Sequence, residues 1–249
     1  EVNGAVHDLL GLGVDNIASR RLRLVGDPEA RIKEDVLRIL RFFRFMDVFF
    51  NTDAASLHAC TQNWGLLEGL SKERVTQEMR KMIVAIPASQ GLKEMAAQGL
   101  TIKNLGLNFQ FFYNIKEKSQ NIDIECEPVL WVALFSGVLA EELGEALSLP
   151  RTLVKQMQAI CGAVQDSDLY WSTYRHGKDV GVQAAILAGW DVDDIITLQN
   201  WEIPVCPITA EVVMRDEGLD PGPELGKRLK QLEREWFTKE VLETGPRQN

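Results

Sequence analysis

The sequence predicts a mainly α-helical protein with a short β or loop remnant at its N-terminus. Three observations carry that class. Apolar residues recur at helical spacing in one segment after another. Asp-Pro, Ser and Pro start signals stand at the heads of several of those segments. Val and Ile rarely alternate with polar residues, as a half-buried strand requires.

Taken in order, residues 1–21 carry Gly4, Gly11 and Gly13 and read mostly as loop. Leu22 to Val25 alternates apolar with charged and predicts a short strand. Asp27-Pro28-Glu29 is a helix start: Asp as N-cap, Pro at the first position, an acid in the first turn. Ile32, Val36, Ile39, Leu40 and Phe43 then repeat at helical spacing, so one helix is expected from Pro28 to about Phe50. Ser71 caps the next, with Val75, Met79, Met82, Ile83 and Ile86 as its stripe and an end near Pro87. Amphipathic segments follow around 91–100, 105–117, 128–147, 150–164, 179–188 and 191–200. Pro204, Pro207, Pro221 and Pro223 bracket a short segment, and Pro223 opens a last helix to about Glu243.

The bulk properties narrow the classes. At 249 residues the chain is one large domain or two to three small ones, with 45% apolar and 25% charged residues. No apolar run approaches the ~20 residues needed to cross a bilayer. The net charge of −9 argues against blanket nucleic-acid affinity, so any RNA contact must come from local basic patches such as Arg20-Arg21-Arg23 and Lys227-Arg228-Lys230. Cys60, Cys126, Cys161 and Cys206 lack zinc-type spacing and fit a reducing cytoplasm. The first residue is Glu, and the chain reads as the C-terminal part of a longer protein or as a processed or engineered piece.

Few residues carry chemistry. His7, His58 and His176 share no ligand spacing, and the acids of 123–125 and 191–194 read as helix starts rather than metal ligands. No phosphate-cradling glycine loop, nucleophile elbow or HExxH motif occurs.

The stretch "RIKEDVLRILRFFRF" at 31–45 stands apart. Glu34 and Arg38 are i,i+4 partners and Asp35 and Arg38 are i,i+3 partners on a helix. As a surface ladder such pairs contribute only about 0.2–0.5 kcal/mol each. That account leaves Arg41 and Arg44 unexplained. A three-residue step turns about −60° around a helix, so Asp35, Arg38, Arg41 and Arg44 would wind over one side. Such a track can set a carboxylate and a guanidinium on one ligand group and further guanidinia on its phosphates.

"RLVGDPEARIKEDVLRILRFFRF" at 23–45 resembles the neck signature of class II tRNA nucleotidyltransferases, the CCA-adding enzymes, and of bacterial poly(A) polymerases. "LSKERVTQEM" at 70–79 resembles the next motif of that family, which packs beside the neck helix and supports it. "NGAVHDL" at 3–9 is similar to the segment leaving the catalytic head, while "WEIPVCPIT", "PGPELG" and "EREW" near the end resemble the tail of the mitochondrial and α-proteobacterial branch. Ala210 and Val212 stand where that branch commonly has Gly and Asp.

The resemblance implies a division into the end of the head (1–26), neck (27–88), body (89–200) and a tRNA-binding tail (201–249). It implies an enzyme that extends tRNA 3′ ends from CTP and ATP with Mg²⁺. Asp35 and Arg38 would read the base, Glu34 would hold the guanidinium in plane, and Arg41 and Arg44 would face the ribose-triphosphate. Arg31, Glu73, Arg74 and Glu78 would support them. No catalytic or metal-binding residue is expected within this chain; the Mg²⁺ ligands belong to a head outside it, so the 249 residues alone are expected to be inactive. Poly(A) addition, a non-catalytic RNA-binding module and one half of a split enzyme with a separate head chain are the alternatives. The setting is cytoplasmic, or the mitochondrial matrix for a eukaryotic source.

Overall fold

The structure is a computed structural model that describes residues 8, 11–85, 90–120, 122, 126–166 and 168–242. The described residues are predominantly helical, and among them one sheet has two short strands in the first part of the chain. The chain divides into two compact units, one running to Cys161 and the other from Gly162.

The first unit begins with α1 (Gly13–Ala18), inside the segment expected to be loop. Strand β1 (Arg21–Leu22) pairs in parallel with β2 (Asn51–Thr52), Arg21 opposite Asn51. Asp27 caps α2 (Pro28–Glu34) as expected, its carboxylate accepting from the Ala30 N–H. The single helix expected beyond it does not form. Asp35 is extended, at φ −151° and ψ 101°, and α3 starts afresh at Arg38 and ends at Phe45. The Asp35 side chain accepts from the Leu37 N–H at 3.2 Å, a local bond that competes with helix continuation. Apolar periodicity is blind to that competition, because Val36, Ile39 and Leu40 keep their spacing across the break.

Then come α4 (Ala54–Gln62), capped by Asp53, a 3₁₀ turn at Trp64–Gly69, and α5 (Lys72–Val84), capped by Ser71. The remaining helices to Cys161 are α6 (Gln90–Ala97), α7 (Phe109–Ser119), α8 (Glu127–Leu134), α9 (Ala140–Leu147) and α10 (Arg151–Gln165), the last running a few residues further. The segment read as one stretch at 128–147 is thus two helices, parted by Gly137 at φ +92°. Ile86, Pro87, the acids of 123–125, His7, Glu243 and most of the "NGAVHDL" segment lie outside the described residues.

The core of this unit explains the patterning. Ile39, Leu40 and Phe43 are fully buried where α3 packs on α5 and α6, whose Met79, Met82, Ile83, Leu92 and Met95 are buried as well, and Ile32 is fully buried where α2 packs on α4 and α3. Phe43 also meets Trp64 edge to face, with ring centroids 5.6 Å apart. Burying a Leu-, Ile- or Phe-sized side chain stabilises by about 1.5–3 kcal/mol each. α3 and α6 approach closely: a Cβ at Gly91 would lie 2.0 Å from the Phe43 carbonyl oxygen.

The second unit holds α11 (Leu169–His176), α12 (Lys178–Ala188), α13 (Val192–Asn200), α14 (Ala210–Glu217) and α15 (Pro223–Phe237). Among these, α11 and α14 were not anticipated as separate helices. Gly181 lets α12 sit against Thr173 of α11, where a Cβ would lie 1.9 Å from the hydroxyl. Trp171, Tyr174, Trp201 and Phe237 form an aromatic cluster with edge-to-face and stacked contacts. Asp193 and Asp194 lie in the first turn of α13, as helix-start acids do. Among the described residues, no three His, Cys, Asp or Glu side chains gather in a way that could hold a metal ion.

The glycines give a paired test. Gly91→Ala should cost about 1–3 kcal/mol or more, since the intruding methyl meets backbone and α3 must move. Gly162→Ala, in α10 with nothing within 4 Å of the added Cβ, should stabilise by about 0.4–1 kcal/mol. Urea denaturation of both variants checks this; equal effects of one sign would contradict the packing described.

Candidate functional site

The break between α2 and α3 gathers the predicted residues into a charged turn laid over α5. Because α2 stops at Glu34, its last turn presents Arg31 and Glu34 together. Arg31 Nη1 donates to both Glu34 carboxylate oxygens, at 3.1 and 2.8 Å, and its Nε donates to the Val25 carbonyl at 3.1 Å. Arg38 opens α3 and reaches back across the break. Its Nη1 donates to Glu34 Oε2 at 2.7 Å and to the Arg31 carbonyl at 2.8 Å. The Arg38 and Arg31 hydrogen bonds hold the Glu34 carboxyl below the ordinary glutamate value.

The i,i+4 pairing of Glu34 with Arg38 is therefore present. The i,i+3 pairing of Asp35 with Arg38 is not, because the extended backbone at Asp35 swings its carboxylate away. Asp35 Oδ2 accepts from Arg41 Nη1 and Asp35 Oδ1 from Arg74 Nη2, each at 3.2 Å. Arg38 is held through one nitrogen, Nη1. Its guanidinium is thereby anchored at one end, with a third of the side chain exposed.

Arg41 and Arg44 meet Glu78, and this is where α5 supports the turn. Glu78 is 3% exposed. Arg44 Nε lies 2.8 Å from Glu78 Oε2, a charge contact out of line for a hydrogen bond, and Arg41 Nε lies 3.7 Å from Oε1. Lys81, one turn along α5, donates to Oε1 at 3.0 Å. Burial pushes the Glu78 carboxyl up, but the Lys81 hydrogen bond and the charges of Arg44, Lys81 and Arg41 outweigh it, leaving it below the ordinary value. The Arg44 guanidinium also sits 4.4 Å from the centre of the Phe45 ring.

Of the predicted support residues, Arg74 touches the turn directly through Asp35 and Glu78 through the two arginines. Arg31 braces Glu34. Glu73 faces away: the Glu73 backbone N–H, the Ser148 and Ser71 hydroxyls and the Lys72 charge hold its carboxyl below the ordinary value. Lys81 was missed, although its i,i+3 spacing from Glu78 is plain in the sequence. Contacts across 39 residues, such as Arg74 with Asp35, have no local signal. Chemically, the turn holds one acceptor, the Asp35 carboxylate between Arg41 and Arg74, and one donor, the Arg38 guanidinium anchored by Glu34, near further cations.

Residues 49–102 match the family model described as the probable RNA and SrmB-binding site of polymerase A. The chain is 29% identical over 250 residues to the CCA-adding enzyme of Limosilactobacillus reuteri and 27% identical over 252 residues to that of Streptococcus gordonii. It spans 62% of the length of each relative, while 92% and 93% of this chain are covered. Its fold superposes on the Bacillus stearothermophilus CCA-adding enzyme in complex with CTP with a TM-score of 0.76 at 21% identity, over 97% of this chain and 66% of that one. A CCA-adding enzyme with ATP gives 0.63 at 15% identity, over 93% and 62%.

Glu78 yields a pH test. A carboxyl depressed in the folded state contributes stability above its unfolded value, here about the ordinary 4.5, and loses it as pH falls through the lower folded value. Glu78→Gln should cost about 1–3 kcal/mol at pH 7 and flatten the decline of stability below that value. Thermal melts of both proteins from neutral to acidic pH check it; identical melting at pH 7 would show that Glu78 holds nothing.

Proposed function

We propose that the chain is the neck, body and tail portion of a class II tRNA nucleotidyltransferase or bacterial poly(A) polymerase relative, and that it selects CTP and ATP and holds tRNA for synthesis or repair of the CCA end. The observation that carries this reading is the broken α2–α3 turn, on which Glu34 anchors Arg38 while Arg41 and Arg74 hold Asp35. Cytosine and adenine share an exocyclic amino donor beside a ring-nitrogen acceptor. Asp35 would accept from the amino group and Arg38 would donate to the ring nitrogen. Guanine and uracil present a carbonyl and a ring N–H at those positions, setting acceptor against acceptor and donor against donor.

Arg41 is the more exposed of the two remaining arginines and takes the ribose-triphosphate side. Arg44 is the nearer to Glu78 and anchors that side while adding its charge to the field. Arg41 and Arg74 neutralise Asp35 before a nucleotide arrives, so they limit the cost of holding a carboxylate beside a triphosphate.

Mg²⁺ neutralises charge and orients the attacking hydroxyl in phosphoryl transfer. The described residues of this chain do not fit that ion: Glu34 and Asp35 are committed to guanidinia, and no three-donor cluster occurs among the described residues. Its ligands are assigned to a head domain, whether in the same polypeptide or in a separate chain. The tRNA contacts are assigned to the body and tail, and the setting, on the cysteine spacing, to the cytoplasm. Poly(A) addition is the second reading, favoured by the match at residues 49–102 to a polymerase A site.

The test uses the chain joined to a catalytic head of its family. Asp35→Ala and Arg38→Ala should each lower kcat/KM for CTP and ATP by about one to two orders of magnitude, from loss of a hydrogen bond to a charged group at ~1.5–3 kcal/mol. Discrimination against UTP and GTP should shrink in parallel. Unchanged selectivity in both variants would reduce the turn to a surface salt-bridge ladder. Sequencing the extended 3′ ends separates CCA from poly(A) addition.

A further inference from the structure

On another face of α5 lies a cleft of about 430 Å³ that the nucleotide reading does not use. Glu73, Thr76, Gln77 and Arg80 follow the i, i+3, i+4, i+7 stripe that lines it, while Arg74, Glu78 and Lys81 lie on the stripe serving the α2–α3 turn. The first turns of α10 form the opposite wall through Thr152, Leu153 and Gln156. Leu149 and Trp131 line it too, both buried. The volume suits a small ring system, within the ~300–1,000 Å³ range of ligand pockets.

Its polar groups narrow the chemistry. Arg80 makes a two-pronged contact with Glu127, Nε to Oε1 and Nη2 to Oε2, both at 2.6 Å, and Trp131 Nε1 donates to the same carboxylate at 3.2 Å. That fixes the guanidinium plane and neutralises its charge, yet 59% of the Arg80 side chain stays exposed. A flat, neutralised guanidinium is a stacking surface more than an anion trap. Glu73 on the same wall further disfavours a phosphate. The side chains of Gln77, Thr152 and Gln156 have no hydrogen-bond partner among the described residues. Two primary amides and a hydroxyl offer donors and acceptors side by side, which matches the edge of a heteroaromatic ring better than a cation, an anion or a lipid chain.

We infer that this cleft is a second nucleobase site, separate from the Asp35–Arg38 turn. It takes one unpaired purine or pyrimidine, stacked on the Arg80 plane with its edge toward Gln77 and Gln156. The base is supplied either by a free nucleoside or by a residue turned out of an RNA strand; the chemistry of recognition is the same.

Quenching of 2-aminopurine on stacking tests this with the 249-residue chain, using the free riboside as one probe and a short single-stranded oligoribonucleotide carrying one 2-aminopurine as the other. Saturable quenching is expected for wild type and for Asp35→Ala/Arg38→Ala. Gln77→Leu, which removes an edge partner, and Thr152→Trp, which fills the mouth from an exposed position, should each weaken it by about tenfold. Response to the riboside identifies a free-nucleoside site, and response to the oligonucleotide alone identifies an RNA base. Quenching that vanishes in Asp35→Ala/Arg38→Ala but survives Thr152→Trp and Gln77→Leu would overturn the inference, as would no saturable quenching by either probe. Circular dichroism melts confirm folding, and if Thr152→Trp is unfolded, Gln77→Leu decides.

Discussion

A carboxylate taken out of water must be neutralised where it sits, and Glu78, 3% exposed beneath α3, draws in Arg41, Arg44 and Lys81 to do so. This need ties α3 to α5 at a fixed height. It also holds Arg41 and Arg44 of α3, which would otherwise be long, mobile surface side chains. The apolar contacts of Phe43 with α5 and α6 supply the larger stabilisation, but they do not determine where the guanidinia point. The buried acid does.

The second constraint is the loss of helix at Asp35. A continuous helix would spread Asp35, Arg38, Arg41 and Arg44 along a slow spiral. The break folds that spiral back on itself, so that Arg38 reaches Glu34 and Arg31 while Asp35 reaches Arg41 and Arg74. Each charged group at the turn is thereby held by at least one opposite charge or carbonyl. A pre-oriented, pre-neutralised pair loses little freedom when a ligand arrives, which is the usual route by which rigid sites gain specificity.

One helix thus serves two places. The face of α5 bearing Arg74, Glu78 and Lys81 supports the turn, and the face bearing Gln77 and Arg80 lines the cleft. Both depend on an arginine held by a carboxylate, through one nitrogen at Arg38 and through two at Arg80, but the surroundings differ. At the turn several cations converge and leave a positive environment. In the cleft Arg80 is matched by Glu127, with Glu73 on the same wall among amides and apolar groups, and no positive excess is left.

The sequence by itself determined the helical class, the caps at Asp27 and Ser71, the helix start at Pro223, the Glu34–Arg38 pair and the residues of the candidate turn, because each rests on interactions within a few positions. The resemblance at 23–45 and 70–79 anticipated the family for the same reason: the charged motif is contiguous. It could not reveal the break at Asp35, since apolar spacing survives it, nor the parallel pairing of Arg21 with Asn51 across 30 residues. It paired Asp35 with the wrong arginine, because that choice turns on one backbone conformation and on Arg74, 39 positions away. The cleft was invisible for the same physical reason. Arg80 and Glu127 find each other only when α5 and α8 pack, and a cavity is a property of surfaces brought together rather than of any segment that forms them.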